Sequence, residues 1–247
     1  MKLLVDVGNT RIKWGLSDSR AISEHGALTY QDKPITQVLT AAWHNLPAPE
    51  CILVANVAGA SFAEQLASFC QKRFYQAPEF IQAKPQACGI INGYNQPEQL
   101  GADRWAAIIG AYHLYSGPTC IVSCGTAITV DTVTSEGQHL GGLITPGMTL
   151  MQRALAAAAP AIPPEPSDTI AFYARDTRTA VTSGVLYAAA GFIERATAEI
   201  LKQQGTMTRC LLTGGDAGRV GSIVQGRFTL APHLVLEGLL VMAEQQT

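Results

Sequence analysis

The sequence predicts an α/β protein made of two similar domains, and three observations carry that prediction. Apolar, strand-like runs alternate with segments of helical spacing along the chain. Two glycine hairpins, "VDVGNTRIKW" at 5–14 and "VSCGTAITVD" at 122–131, superpose when Gly8 is set on Gly125. Between them "SGP" at 116–118 breaks the pattern. The expected division is residues 1–117 and 118–247, two domains facing each other across a cleft.

The elements follow in order. "KLLVDV" and "RIKWGLS" read as two strands joined at Gly8-Asn9-Thr10. Residues 34–46 read as a helix with Ile35, Val38, Leu39 and Ala42 on one face, and "CILVANV" at 51–57 as a buried strand. "SFAEQLASFCQKRF" repeats Phe62, Leu66, Phe69 and Phe74 at near-helical spacing. "QACGIINGYNQPEQLGADRW" begins as a loop, and a helix is expected from about Pro97 to Tyr115. After the break come a strand, a glycine turn and a strand in "CIVSCGTAITVDTV", then a helix in "LMQRALAAAA" ended by "PAIPPEP". A long helix is expected over 181–204, a strand, turn and helix in "RCLLTGGDAGRV", and a last helix over 233–246.

Composition narrows the function. Of 247 residues, 47% are apolar and 15% charged, which suits a sizeable core and argues against disorder. The net charge is −2 with no run of Lys or Arg, so small-molecule chemistry is favoured over a nucleic-acid surface. Six cysteines, at 51, 70, 88, 120, 124 and 210, form no CxxC pair and read as buried reduced thiols. Cys120 and Cys124 would share a strand face but have no partner ligands nearby. The first apolar run is interrupted by Asp6, Asn9, Arg11 and Lys13, unlike a signal peptide. No apolar run reaches the roughly 18 residues of a membrane span. A cytoplasmic protein is expected.

Four stretches can carry chemistry. A glycine turn between strands lets backbone N–H groups approach phosphate oxygens, because no Cβ blocks them. In the first turn Asp6 can hold Mg²⁺ or its waters and Lys13 can lie over phosphates. The second turn, "SCGTA", offers the Thr126 hydroxyl. Together the turns read as a clamp on phosphate, although either alone is equally an ordinary hairpin. "LTGGDA" at 212–217 places a helix N-terminus where a nucleotide can lie, with Asp216 as N-cap or ribose partner. In "GYNQPEQLGADRW", Arg104 can fork onto a carboxylate or phosphate, and Asp103 can take a proton from an attacking hydroxyl. The bland alternative there is an exposed ion pair in a first helical turn.

Taken together, "DVGNTRIKW", "GYNQPEQLGADRW", "SCGTAITVD", "GGLITPGMTLM" and "LTGGDA" occur in an order that closely resembles type III pantothenate kinase. That family belongs to the acetate and sugar kinase, heat-shock ATPase and actin superfold. The resemblance implies two actin-like, ribonuclease H-like domains across a nucleotide cleft. It also implies ATP-dependent phosphorylation of pantothenate to 4′-phosphopantothenate, the first step of coenzyme A biosynthesis. By residue, it implies an ATP phosphate loop of Asp6, Val7, Gly8, Asn9, Thr10, Arg11, Ile12 and Lys13, with Asp6 on Mg²⁺ and Thr126 contacting ATP from the second turn. Asp103 would be the proton acceptor, while Tyr94, Gly101, Ala102, Asp103, Arg104 and Thr177 would bind pantothenate. A homodimer with its pantothenate pocket near the interface is implied as well.

One position departs from the family. An Asp often stands where this chain has Ser123, and that Asp is associated with potassium or ammonium. A neutral hydroxyl loses that charge, which puts the monovalent cation in doubt. Two competing functions remain: phosphorylation of another acceptor (a sugar, an acetate-like acid or a polyphosphate), and the accessory role in transcription first described for some members.

Overall fold

The computed structural model describes residues 1–18, 21–30 and 33–245. By contacts the chain divides into two compact units. The first comprises Met1–Ser116, Ser135–Leu140 and the residues from His233 onward; the second comprises Gly117–Thr134 and Gly141–Pro232.

In the first unit, β1 (Lys2–Val7) and β2 (Arg11–Ser17) form the expected hairpin. β3 (Ile22–Thr29) extends it at the edge. Then come α1 (Ile35–Trp43), β4 (Cys51–Asn56) and α2 (Ala60–Phe74). β4 pairs parallel to β1, and the short β5 (Glu79–Phe80) pairs parallel to β4. Every residue of β1 except Asp6 is buried, as a strand covered on both faces requires. On one face Val5, Val7, Trp14 and Leu16 pack with Leu39 and Trp43 of α1 and Leu66 of α2.

A small ladder of β6 (Gln86–Ala87) and β7 (Ile90–Ile91) precedes the next helix. The expected helix over 97–115 is corrected here. Pro97–Gln99 make a single 3₁₀ turn, Leu100 and Gly101 are extended, and α3 starts afresh at Ala102 and runs to Leu114. The break drops Leu100 into the core and leaves Asp103 in a first helical turn.

The second unit repeats the plan. β8 (Thr119–Cys124) and β9 (Ala127–Val133) form a hairpin, and β10 (His139–Pro146) lies beyond β9. α4 (Met148–Ala158) and α5 (Thr177–Gln204) follow. α5 starts four residues earlier than its apolar spacing suggested, because the Asp176 carboxylate accepts from the Thr179 N–H and caps it. β11 (Arg209–Thr213), α6 (Ala217–Gly221) and β12 (Phe228–Leu230) complete the unit. Strand order is β3-β2-β1-β4-β5 in one sheet and β10-β9-β8-β11-β12 in the other. The duplication read from two hairpins thus extends to whole sheets.

The last helix, α7 (Leu234–Glu244), follows the second unit in sequence yet packs along α3 of the first. Gly110 and Gly238 let the two backbones meet: a Cβ on Gly238 would stand 1.8 Å from the Ala106 carbonyl oxygen. Gln246, the final residue of the predicted helix, lies outside the described residues.

Candidate active site

The two glycine turns close differently. In the first the Gly8 N–H donates to the Arg11 carbonyl, in the second the Gly125 N–H donates to the Ala127 carbonyl, each at 3.0 Å. The first turn is therefore one residue longer. The strand positions just before them correspond: Asp6 lies opposite Lys13, and Ser123 opposite Thr129. One turn is entered by a carboxylate–ammonium pair and the other by two hydroxyls.

In the first unit the structure brings Asp6, Lys13 and Asp103 within electrostatic reach of one another. Burial, and then the Asp103 charge, push the Asp6 carboxyl up to about 7, with Lys13 pulling the other way. Two carboxylates held together in a partly buried place favour a cation between them. Among the described residues no group of three or more His, Cys, Asp or Glu surrounds a metal position. Mg²⁺ takes one or two carboxylates and leaves its other positions to water and phosphate, so the chemistry of the Asp6 and Asp103 carboxylates fits that ion.

Beside this cluster α3 begins. The Asp103 carboxylate accepts from the Arg104 backbone N–H at 2.8 Å, while Trp105 next to it is fully buried and anchors the turn. Arg104 is only 7% exposed, too buried for a solvated capping pair. Its guanidinium donates to the Tyr94 hydroxyl at 2.6 Å and stands 5.4 Å from the centre of that ring. Gly101 accepts the Trp105 N–H at 2.9 Å, and Ala102 is buried. The motifs "GYNQP" and "GADR" thus meet as one site. Of the remaining loop residues, Val7 and Ile12 are core, Gly8, Thr10 and Lys13 half-buried, and Asn9 and Arg11 exposed.

The second unit carries the other predicted residues. Thr126 is exposed at the tip of its turn, and Thr177 is exposed as the first residue of α5. Ser123 pairs in register with Thr213 at the end of β11, and the Asp216 N–H donates to the Cys124 carbonyl at 3.0 Å. The "SCGTA" and "LTGGDA" turns are therefore neighbours. Gly214, at φ +97°, permits this: a Cβ there would lie 2.2 Å from the Cys124 oxygen.

Sequence reasoning missed three groups in the first unit. Tyr30 donates to the Gly8 carbonyl at 2.7 Å. Asn92 is buried, and its side chain accepts from the Tyr94 N–H at 3.0 Å. His139 stacks on Tyr94. Of these only Asn92 had a local signal, since an Asn before Gly commonly bonds its own backbone two residues on.

Comparison with known proteins fits this geometry. Among solved structures, the chain matches a Baf family transcriptional activator from Campylobacter jejuni with a TM-score of 0.63 at 22% identity, over 99% of this chain and 100% of that one. It matches the activator of 2-hydroxyisocaproyl-CoA dehydratase from Clostridium difficile with a TM-score of 0.58 at 11% identity, over 99% and 94%. These likenesses establish the actin-like fold alone. Curated type III pantothenate kinases from Nitrosococcus oceani and Dechloromonas aromatica are 38% and 39% identical. The first alignment covers 99% of this chain and 94% of its relative, the second 98% and 99%. The family model for type III pantothenate kinase matches residues 2–199. With a match of that length, and relatives alike over almost their whole lengths, the chain belongs to the type III pantothenate kinase family.

Proposed function

We propose that this protein transfers the γ-phosphoryl group of ATP to the primary hydroxyl of pantothenate, giving 4′-phosphopantothenate for coenzyme A synthesis. Family membership supports the reaction. The observation that carries the site assignment is the junction of Asp103 and Arg104 with Tyr94 on one side and Asp6 on the other.

Phosphoryl transfer depends on positioning and on neutralising charge at the γ-phosphate. The loop from Asp6 to Lys13 holds the phosphates, with backbone N–H groups around Gly8 and the Lys13 ammonium as donors. Thr126 contacts ATP from the second turn. Asp6 would hold Mg²⁺, which would supply charge neutralisation at the phosphates. Asp103 accepts the proton of the attacking hydroxyl and aligns it. Arg104 and Tyr94, with Gly101, Ala102 and Thr177, bind the acceptor, the guanidinium taking its carboxylate. Residues 1–117 are read as the domain of the first loop and the acceptor motif. Residues 118–247 are read as that of the second loop and the adenosine motif, with α7 packed back onto the first.

The finer parts of the reading concern assembly and ions. A homodimer is supported by exposed apolar side chains of the second unit, among them Leu143, Ile144, Leu150 and Phe172. Ser123 in place of a carboxylate leaves a weak site for potassium or ammonium. Among the described residues no helix is long and apolar enough to cross a membrane; the cytoplasmic location is proposed from the family's place in coenzyme A synthesis.

The test is pantothenate-dependent ADP release from ATP with Mg²⁺, set against a panel of sugars and short acids. Wild type should release ADP with pantothenate alone, and Asp103→Asn should lose about 10²–10⁴-fold in turnover. Wild-type rates in Asp103→Asn would remove the proton-acceptor assignment.

A further inference from the structure

His139 lies in the acceptor part of the first unit, carries no role in the chemistry above, and belongs to none of the sequence motifs that brought Tyr94 and Arg104 forward. It is the first residue of β10, fully buried, and grouped with the first unit through the short stretch Ser135–Leu140. That stretch is tied down where Ile91 donates to the Gly137 carbonyl at 2.9 Å and bridges to Gln138.

The imidazole meets the "GYNQP" segment in two ways. Its ring lies 6.0 Å from the Tyr94 ring, centre to centre, with only 17° between their planes. Its Nδ1 accepts from the Gly93 backbone N–H at 3.4 Å. An amide N–H can only donate, so Nδ1 bears the lone pair and the neutral ring carries its proton on Nε2. The histidine therefore holds both the residue before Tyr94 and the plane of the Tyr94 ring.

Tyr94 is constrained elsewhere too. Its N–H donates to the Asn92 side chain at 3.0 Å, and its hydroxyl accepts from Arg104 at 2.6 Å. Asn92 is fixed in turn by donating to the Lys84 and Pro97 carbonyls at 3.2 and 3.4 Å. An arginine side chain is long and rotamer-rich, so a fork aimed at a carboxylate needs a rigid neighbour. Tyr94 is that neighbour, and His139 stacks on its ring.

We infer that His139 is a positioning residue for acceptor recognition: by stacking on Tyr94 and tethering Gly93 it sets the direction in which Arg104 presents its guanidinium to the acceptor carboxylate. The inference rests on the proposed reading of Arg104 and Tyr94 as the acceptor site. A histidine that merely fills the core would alter stability without discriminating between acceptors.

Two variants separate its contacts. His139→Asn keeps an acceptor near Nδ1 and removes the ring; His139→Phe keeps a ring and removes the acceptor. Each should raise KM for pantothenate about tenfold, with kcat and KM for ATP staying within about twofold. With pantothenol, which bears a hydroxymethyl group in place of the carboxylate, variants and wild type should show the same KM or inhibition constant. Melting temperatures are read alongside. The inference is overturned if KM for pantothenate is unchanged in both variants, or if pantothenol is affected as strongly as pantothenate. A fall in melting temperature with wild-type KM values would also overturn it. If wild type releases no ADP with pantothenate, the functional reading itself fails, an outcome distinct from these.

Discussion

The Tyr30 hydroxyl donates to the Gly8 carbonyl at 2.7 Å, so the chain leaving β3 is bonded to the turn that joins β1 and β2. The ring of Tyr30 rests against Phe62, 5.1 Å between centres, and burial pushes its hydroxyl pKa up. The group therefore stays protonated, and a donor, throughout the neutral range. Tyr30→Phe keeps the packing and removes the bond. The expected result is a several-fold rise in KM for ATP and a loss of about 1 kcal/mol of stability. At this size that is a melting shift of about 2–4 °C, read by initial rates and thermal unfolding.

Asp6 predicts opposite pH trends for stability and activity. Its carboxyl is raised to about 7 in the folded protein, chiefly by burial and then by Asp103. Between pH 4 and 7 the folded chain holds a proton that the unfolded chain has released. The stabilising contribution is therefore complete below about pH 4 and is lost as pH rises through 7. Metal-free protein should thus melt at lower temperature as pH climbs through this range, and Asp6→Asn should flatten that slope. Turnover should rise over the same interval as Asp6 ionises. Asp103→Asn, which removes a repelling charge, should move the acid limb of residual activity to lower pH.

Gly147 supports the second turn. Its N–H donates to the Thr126 carbonyl at 2.8 Å, and a Cβ there would lie 2.0 Å from the Gly125 oxygen. No rotamer relieves a backbone clash of that kind, so Gly147→Ala must displace the turn. A loss of about 1–3 kcal/mol is expected, together with a raised KM for ATP and an unchanged KM for pantothenate. Denaturant melts and two-substrate kinetics check both parts.

On the proposed reading, Ser123 should govern the response to monovalent cations. Because its hydroxyl carries no charge, potassium and ammonium should change wild-type turnover by less than about twofold, there being no carboxylate at that position to favour a bound cation. Ser123→Asp places a carboxylate at the corresponding position to Asp6 and should make turnover rise with added potassium. Assays in sodium, potassium and ammonium buffers at fixed ionic strength test this.

Much of this was legible in the chain because it is local. The hairpin "VDVGNTRIKW" determines that Asp6 and Lys13 face each other once the turn length is known, and the helical spacing after "GADR" determines α3. β3 and β10 were not legible. β3 is an edge strand whose residues are half-buried at most, and β10 contains Gly141 and Gly142 beside the exposed Leu143 and Ile144. Neither alternates as a half-buried strand should. The bond from Arg104 to Tyr94 spans ten residues across a loop, and His139 reaches Gly93 from 46 residues away. Spacing rules along one element cannot find such pairs. The helix expected from Pro97 failed for a local reason, since Leu100 and Gly101 adopt extended backbone that separates the 3₁₀ turn from α3.

The packing of α7 on α3 also bears on how the chain is made. The Lys2 ammonium donates to the Ala243 carbonyl at 2.9 Å, across 241 residues of sequence. On the ribosome, the first sheet emerges early but lacks the helix that covers α3 until residues 234–244 have been synthesised. The second unit, by contrast, has all its parts once Pro232 is out. The half that begins first is thus completed last. During that interval Ala106 and the Gly110 groove, which Gly238 and Leu234 later cover, stand open, a window in which a chaperone, or a neighbouring nascent chain, has access to them.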